Sequence, residues 1–183
     1  MTNNPNPAVR TPGPDEKTGA IMVYMRNSIC WGDVIVKSQI RVSTWLRTAA
    51  APDFVAMYNA RVLTTTTNVA PKPLFFTEMH VVISEVMAYH LIPPAKDPID
   101  YDPSEPNRRM VPISVVISAF KFDGFMRIAG KTDLIKYIEV TREVYTPFYD
   151  VEITCAMIPG LGTIKVPYVL IRQNGPIFAL RST

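Results

Sequence analysis

The sequence predicts an all-β, β-dominated chain: two tandem small, partly open β-barrel units, each with one short helix. Three observations predict it. Seventeen prolines against eight glycines favour many short elements over long helices, because proline blocks helix interiors and central strand positions. Runs of β-branched and aromatic residues recur between clusters of turn residues. The order of those runs in the first half returns in the second, about 91 positions further on.

The elements follow in chain order. Residues 1–19 hold Pro5, Pro7, Pro12 and Pro14 and no apolar core, which predicts a flexible arm and neither a signal peptide nor an anchor. The first unit, 20–92, opens with the strand Ile21–Met25 and continues through Ile29-Cys30-Trp31 to Gly32-Asp33, which reads as a turn. From Val34 to Val42, Val34, Val36, Ser38, Ile40 and Val42 fall on one side and Ile35, Lys37, Gln39 and Arg41 on the other, which predicts a strand with one buried and one wetter face. Ser43 is placed to cap a short helix, Thr44–Ala50, ended by Pro52-Asp53. Phe54–Leu63 is a strand, Thr64–Pro73 a loop, and Phe75–Ile92 one long strand or a bent pair broken near Glu85.

Residues 93–109 contain five prolines and several carboxylates, the composition of a solvated linker. The second unit, 110–183, repeats the programme. Ile113–Phe122 is a strand, Asp123-Gly124 a hairpin turn and Phe125–Ala129 its return strand. Asp133 is placed to cap a helix over Leu134–Val140. Strands then follow at Tyr145–Cys155, Lys165–Ile171 and Ile177–Leu180, separated by loops at Pro159–Gly162 and Asn174-Gly175. Aligned on one another, Phe54–Val62 meets Tyr145–Ile153, and Val81–Ser84 meets Val169–Arg172.

Charge and cysteine narrow the function classes. Nineteen Lys and Arg against sixteen Asp and Glu give a net charge of +3, with eight basic and six acidic residues up to Ile92 and eleven and ten beyond it. Neither half is a cationic module that tracks phosphates through many contacts. Cys30 and Cys155 both sit in apolar runs, which predicts two buried free thiols rather than a secreted disulfide framework. No stretch reaches the roughly 18–20 apolar residues of a spanning helix. The expected setting is cytoplasmic.

Tyr168–Leu180, with Ile171-Arg172 followed by Asn174-Gly175, resembles the second signature of Sm-like proteins, an Ile-Arg-Gly turn between apolar strands. Asp53–Asn59 resembles the first signature, in which an Asp and an Asn flank an apolar pair. Gly175 does not follow Arg172 directly, and Ser84-Glu85 replaces the Arg-Gly pair in the first half. Arg41–Leu46 with Phe54–Val62 also resembles short bacterial β-proteins of unknown activity. The Sm likeness implies ring assembly and a uridine-rich RNA site, with Asn59 and Arg172 as the transferable residues; a generic SH3-like barrel implies only the fold.

No catalytic constellation stands out. His80 and His90 would lie roughly 33 Å apart on a straight strand, too far to share a metal or substrate. Asp97, Asp100, Asp102 and Glu105 are interleaved with prolines and lack the glycine of a calcium loop, so no metal is expected. Gly160-Leu161-Gly162 lacks the Lys-Ser or Lys-Thr pair of a phosphate loop, so no cofactor is expected. Lys37 and Arg41, on one strand face, with Arg47, Arg61, Trp45, Tyr58 and Phe54 nearby, would form a stacking and phosphate surface for single-stranded nucleic acid, or an anchor for a protein.

The leading expectation is therefore a non-enzymatic structural or interaction protein, a homo-oligomer or a subunit of a complex, assembled through strand edges and apolar patches. The alternative is a barrel module that binds single-stranded nucleic acid, with Lys37, Arg41, Trp45, Asn59, Arg61 and Arg172 as the residues to test.

Overall fold

Ten antiparallel strands form one open sheet in the computed structural model, which describes residues 10–48, 51–65, 72–98, 100–141 and 143–181. They are β1 (Glu16–Met25), β2 (Ser28–Lys37), β3 (Phe54–Thr64), β4 (Leu74–Val82), β5 (Ala88–Leu91), β6 (Arg108–Ile117), β7 (Phe120–Ala129), β8 (Tyr145–Cys155), β9 (Ile164–Arg172) and β10 (Ile177–Leu180). Among the described residues the one α-helix, α1, spans Leu134–Val140, and Val42–Arg47 forms a 3-10 helix. The β-dominated class is as the sequence predicts. Most of the N-terminal arm, residues 1–9, lies outside the described residues, as do 49–50 of the expected first helix and 66–71 of the threonine loop.

The strand order is β10-β6-β7-β8-β9-β5-β1-β2-β3-β4. Five strands of each half pair in the same order: four make a meander, and the fifth turns back to pair with the first. Where the halves meet, β5 pairs with β9, with Ala88 opposite Ile171 and Tyr89 opposite Leu170. Among the described residues, the outermost strands, β4 and β10, each pair on one side only.

The sheet buries its side chains in two apolar clusters, which take opposite faces where the halves meet: Ala88 and Ile171 belong to the first, Tyr89 and Leu170 to the other. The first is built mainly from the second half, with Phe120, Phe122, Phe148 and Val169 at full burial, yet it includes Tyr24 and Ile29 of the first. The other is built mainly from the first half, with Trp45, Val55 and Met57, yet it includes Tyr145 and Leu170 of the second. The halves therefore share their cores.

Several sequence expectations are corrected. Gly32-Asp33 and Asp123-Gly124 are not turns; both lie inside ten-residue strands, β2 and β7. Each marks a register shift against the next strand. A Cβ at Gly32 would stand 2.8 Å from the Tyr58 carbonyl oxygen, and one at Gly124 2.9 Å from that of Tyr149, so glycine is needed for close backbone approach. The real turns are Arg26-Asn27 and Ser118-Ala119, with Ser118 in the left-handed region at φ 51°.

Other boundaries move too. β1 begins at Glu16 rather than Ala20, and β2 stops at Lys37, so Lys37 and Arg41 do not share a strand face. The first short helix is a 3-10 helix over Val42–Arg47 rather than Thr44–Ala50, with no side chain capping it. Ser43 instead donates its hydroxyl and backbone N–H to Asp97 Oδ2, at 2.7 and 2.9 Å. Asp133 does cap α1, accepting from the Lys136 N–H at 2.8 Å. Phe75–Ile92 is a bent pair, β4 and β5, broken by a 3-10 turn at Ile83–Glu85.

Candidate interaction surfaces

The six residues singled out from sequence do not converge. Lys37 pairs with Asp15 at 2.6 Å. Arg41 is exposed and flanks the 3-10 helix. Trp45 is only 8% exposed and belongs to the first-half core, so its ring is not offered for stacking. Asn59, at φ 49°, donates to Asp33 Oδ2 at 3.2 Å. Arg61 lies over the exposed ring of Phe75, 4.9 Å from its centroid. Arg172 sits where β9 meets β5, donating from Nη2 to the Ile83 carbonyl at 2.7 Å and from Nε to the Val86 carbonyl at 2.9 Å. Tyr145 OH donates to the same Val86 carbonyl at 3.1 Å, so the two side chains clamp the turn before β5.

A second polar cluster was missed in the sequence. The proline-rich crossing segment is not a solvated linker along its first part. Asp100 accepts from Tyr149 OH at 2.8 Å, Tyr168 OH at 2.9 Å and Arg47 Nη1 at 3.1 Å. Arg47 also reaches Glu143 at 2.6 Å. Asp100 and the Arg47 side chain are 13% and 24% exposed, so this network is worth more than a surface pair. Burial opposes the Arg47 charge, but Tyr168 and Glu143 outweigh it and its pKa is raised. Burial and then Asp100 push the Tyr149 and Tyr168 hydroxyls up, so both remain protonated donors.

This strap roofs a cleft of about 300 Å³ lined by Ser43, Asp97, Tyr101, Tyr149, Pro167 and Tyr168. Within it Ser43 bonds to Asp97, and Tyr149 and Tyr168 bond to Asp100. Every buried side-chain nitrogen and oxygen among the described residues has a hydrogen-bond partner. Among the described residues, no three His, Cys, Asp or Glu side chains converge as metal ligands.

His90, 1% exposed, accepts from Tyr24 OH at Nε2 (3.0 Å) while Nδ1 donates to the Leu91 carbonyl (2.7 Å). Burial lowers its pKa to about 4, so the ring is neutral at physiological pH. His80 lies on β4 beside Glu78, 3.0 Å away. Burial pushes the Cys30 thiol up to about 11, which keeps it unreactive.

Apolar side chains stand exposed on both outer strands, as they do on α1 at Ile135 (69%) and Val140 (71%). β4 exposes Leu74 (56%), Phe75 (70%), Phe76 (43%) and Val82 (40%). β10 exposes Ile177 (65%) and Leu180 (64%). Compared with protein-family models, curated proteins and solved structures, the chain shows no significant match. No helix among the described residues is long and apolar enough to cross a membrane.

Proposed function

We propose that this chain is a non-enzymatic structural or interaction protein, built of two tandem, partly open small-barrel units, that self-assembles or docks in a larger complex through its strand edges and apolar patches. One observation carries this reading: among the described residues neither outer strand has an outer neighbour, and both carry exposed apolar side chains. Solvent-facing edges are normally blunted by lysine, proline or a covering element. β4 reads Leu-Phe-Phe-Thr-Glu-Met-His-Val-Val and β10 Ile-Phe-Ala-Leu, with neither lysine nor proline in either. Apolar side chains at open edges suit a partner that adds a strand.

The polar clusters fit the same reading. The strap at Asp100 and the clamp at Arg172 tie segments of this chain to each other, and His90 is consumed in holding Tyr24 and Leu91. A cytoplasmic setting fits the two buried free thiols, Cys30 and Cys155.

The test is size-exclusion chromatography with light scattering on protein from native cells, with ultraviolet absorbance followed before and after nuclease. A defined oligomer or a stable protein complex without nucleic-acid absorbance is expected. Nuclease-sensitive co-purifying material would overturn this reading in favour of a single-stranded nucleic-acid module. A clean monomer over a wide concentration range, with no partner, would overturn it as well.

A further inference from the structure

We propose that copies of this chain join head to tail, β10 of one copy pairing antiparallel with β4 of the next, with Ile177 opposite Val81 and Ala179 opposite Met79. This rests on the self-assembly reading above and specifies its joint.

The register comes from the joint already present inside the chain. The two halves correspond pair by pair. Glu16 opposite Lys37 in β1–β2 corresponds to Arg108 opposite Ala129 in β6–β7. Past the shared register shift, Asp33 opposite Tyr58 corresponds to Phe125 opposite Tyr149. Tyr58 opposite Glu78 then corresponds to Tyr149 opposite Tyr168, which makes β4 the counterpart of β9 and Val81 that of Ile171. Tyr24 opposite Ala88 corresponds to Val116 opposite Ile177, which makes β10 the counterpart of β5.

Within the chain, β9 pairs with β5. Its counterpart β4 and the counterpart of β5, β10, are the two strands left without an outer neighbour. Placing β10 of one copy on β4 of another repeats the internal joint: Ile177 and Phe178 meet Val81 and His80 as Ala88 and Tyr89 meet Ile171 and Leu170. The Val82 N–H then faces the Pro176 carbonyl, as the Arg172 N–H donates to Met87 at 2.7 Å.

The exposed surface agrees with this geometry. At the internal joint Ala88, Tyr89, Leu170 and Ile171 are fully buried, whereas Ile177 is 65% and Leu180 64% exposed. Phe54 and Val82, 55% and 40% exposed, hold the places taken in the second half by Tyr145 and Arg172. Those two clamp the turn before β5 with hydrogen bonds, so the equivalent contact between copies is apolar. Two different edges meet, so the contact is heterologous and propagates as a closed ring or an open filament.

The test uses the full chain. Ala179→Cys and Met79→Cys chains are mixed under mild oxidation, with Ala179→Cys and Phe75→Cys as the out-of-register control. The native thiols contribute little background, since both are buried. A disulfide-linked dimer is expected from the first mixture and not from the control, and the double variant should give a ladder. Ile177→Lys, at a site exposed in the single chain, should keep the wild-type far-ultraviolet circular dichroism and reduce the light-scattering mass to that of one chain. An oligomer that survives Ile177→Lys and forms no such crosslink, or Met79→Cys chains that link to one another, would overturn this joint and leave self-assembly standing. A wild-type monomer at all concentrations would overturn both.

Discussion

Tyr24 of β1 packs edge-on against Phe122 of β7, ring centroids 5.1 Å apart, although β8, β9 and β5 lie between their strands in the sheet. It meets Phe120 at the same distance. A flat sheet would hold these rings four strand spacings, roughly 19 Å, apart. The sheet is therefore bent enough to bring a first-half side chain into the second-half core.

That contact predicts one cooperative unfolding transition for both halves. Tyr24→Ala should cost about 3–5 kcal/mol by urea denaturation, through the cavity and the lost aromatic contacts. Tyr24→Phe should cost about 1–2 kcal/mol, because His90 Nε2 loses its donor. Two separate transitions in the wild type would contradict shared cores.

His90 predicts an acid-side loss of stability. Its folded pKa of about 4 lies below the ordinary 6.5, so the unfolded chain takes up the proton first as pH falls. The stability is complete above pH 6.5 and declines between 6.5 and 4, by up to about 3 kcal/mol. Denaturation midpoints followed across this window should show the decline, and His90→Gln should flatten it.

Close backbone approach predicts that Gly32→Ala and Gly124→Ala each destabilise by about 1–3 kcal/mol, since the new methyl meets a carbonyl oxygen on the neighbouring strand. Gly160→Ala, with open space around it, should change stability by less than about 0.5 kcal/mol. Equal effects at all three sites in thermal melts would remove the argument.

The strap predicts that Asp100→Ala, which strips three donors of their acceptor, costs about 2–4 kcal/mol. Limited proteolysis should then cut within residues 93–107 faster than in the wild type. Asp102→Ala, whose side chain bonds only to neighbouring Ser104, is the comparison and should leave the cleavage rate unchanged.

The β-dominated class was legible because it depends on local quantities. Proline frequency, β-branched runs and two-residue alternation report strands whatever they pair with. The cap at Asp133 was legible for the same reason: its acceptor and its donor are three residues apart. The glycine-containing pairs were misread because Asp-Gly and Gly-Asp mark turns only when the chain reverses there. The reason for Gly32 and Gly124 lies in Tyr58 and Tyr149, on other strands. Aligning Val81 with Val169 was two places out; the pairing registers match it to Ile171. Trp45 entered the candidate surface because composition cannot distinguish a stacking ring from a core one.

By itself the sequence determined that the chain is β-dominated, where α1 falls with its cap at Asp133, and that the two halves repeat a similar run of strands. Those properties are set within a few residues of chain by backbone sterics and side-chain periodicity. Only the tertiary structure decided that β5 joins β9, that Tyr24 crosses into the far core, and that Asp100 ties the crossing segment to Arg47, Tyr149 and Tyr168. Each of these joins residues tens of positions apart, and the free energy that selects them comes from burial and hydrogen bonding that exist only once the sheet has bent.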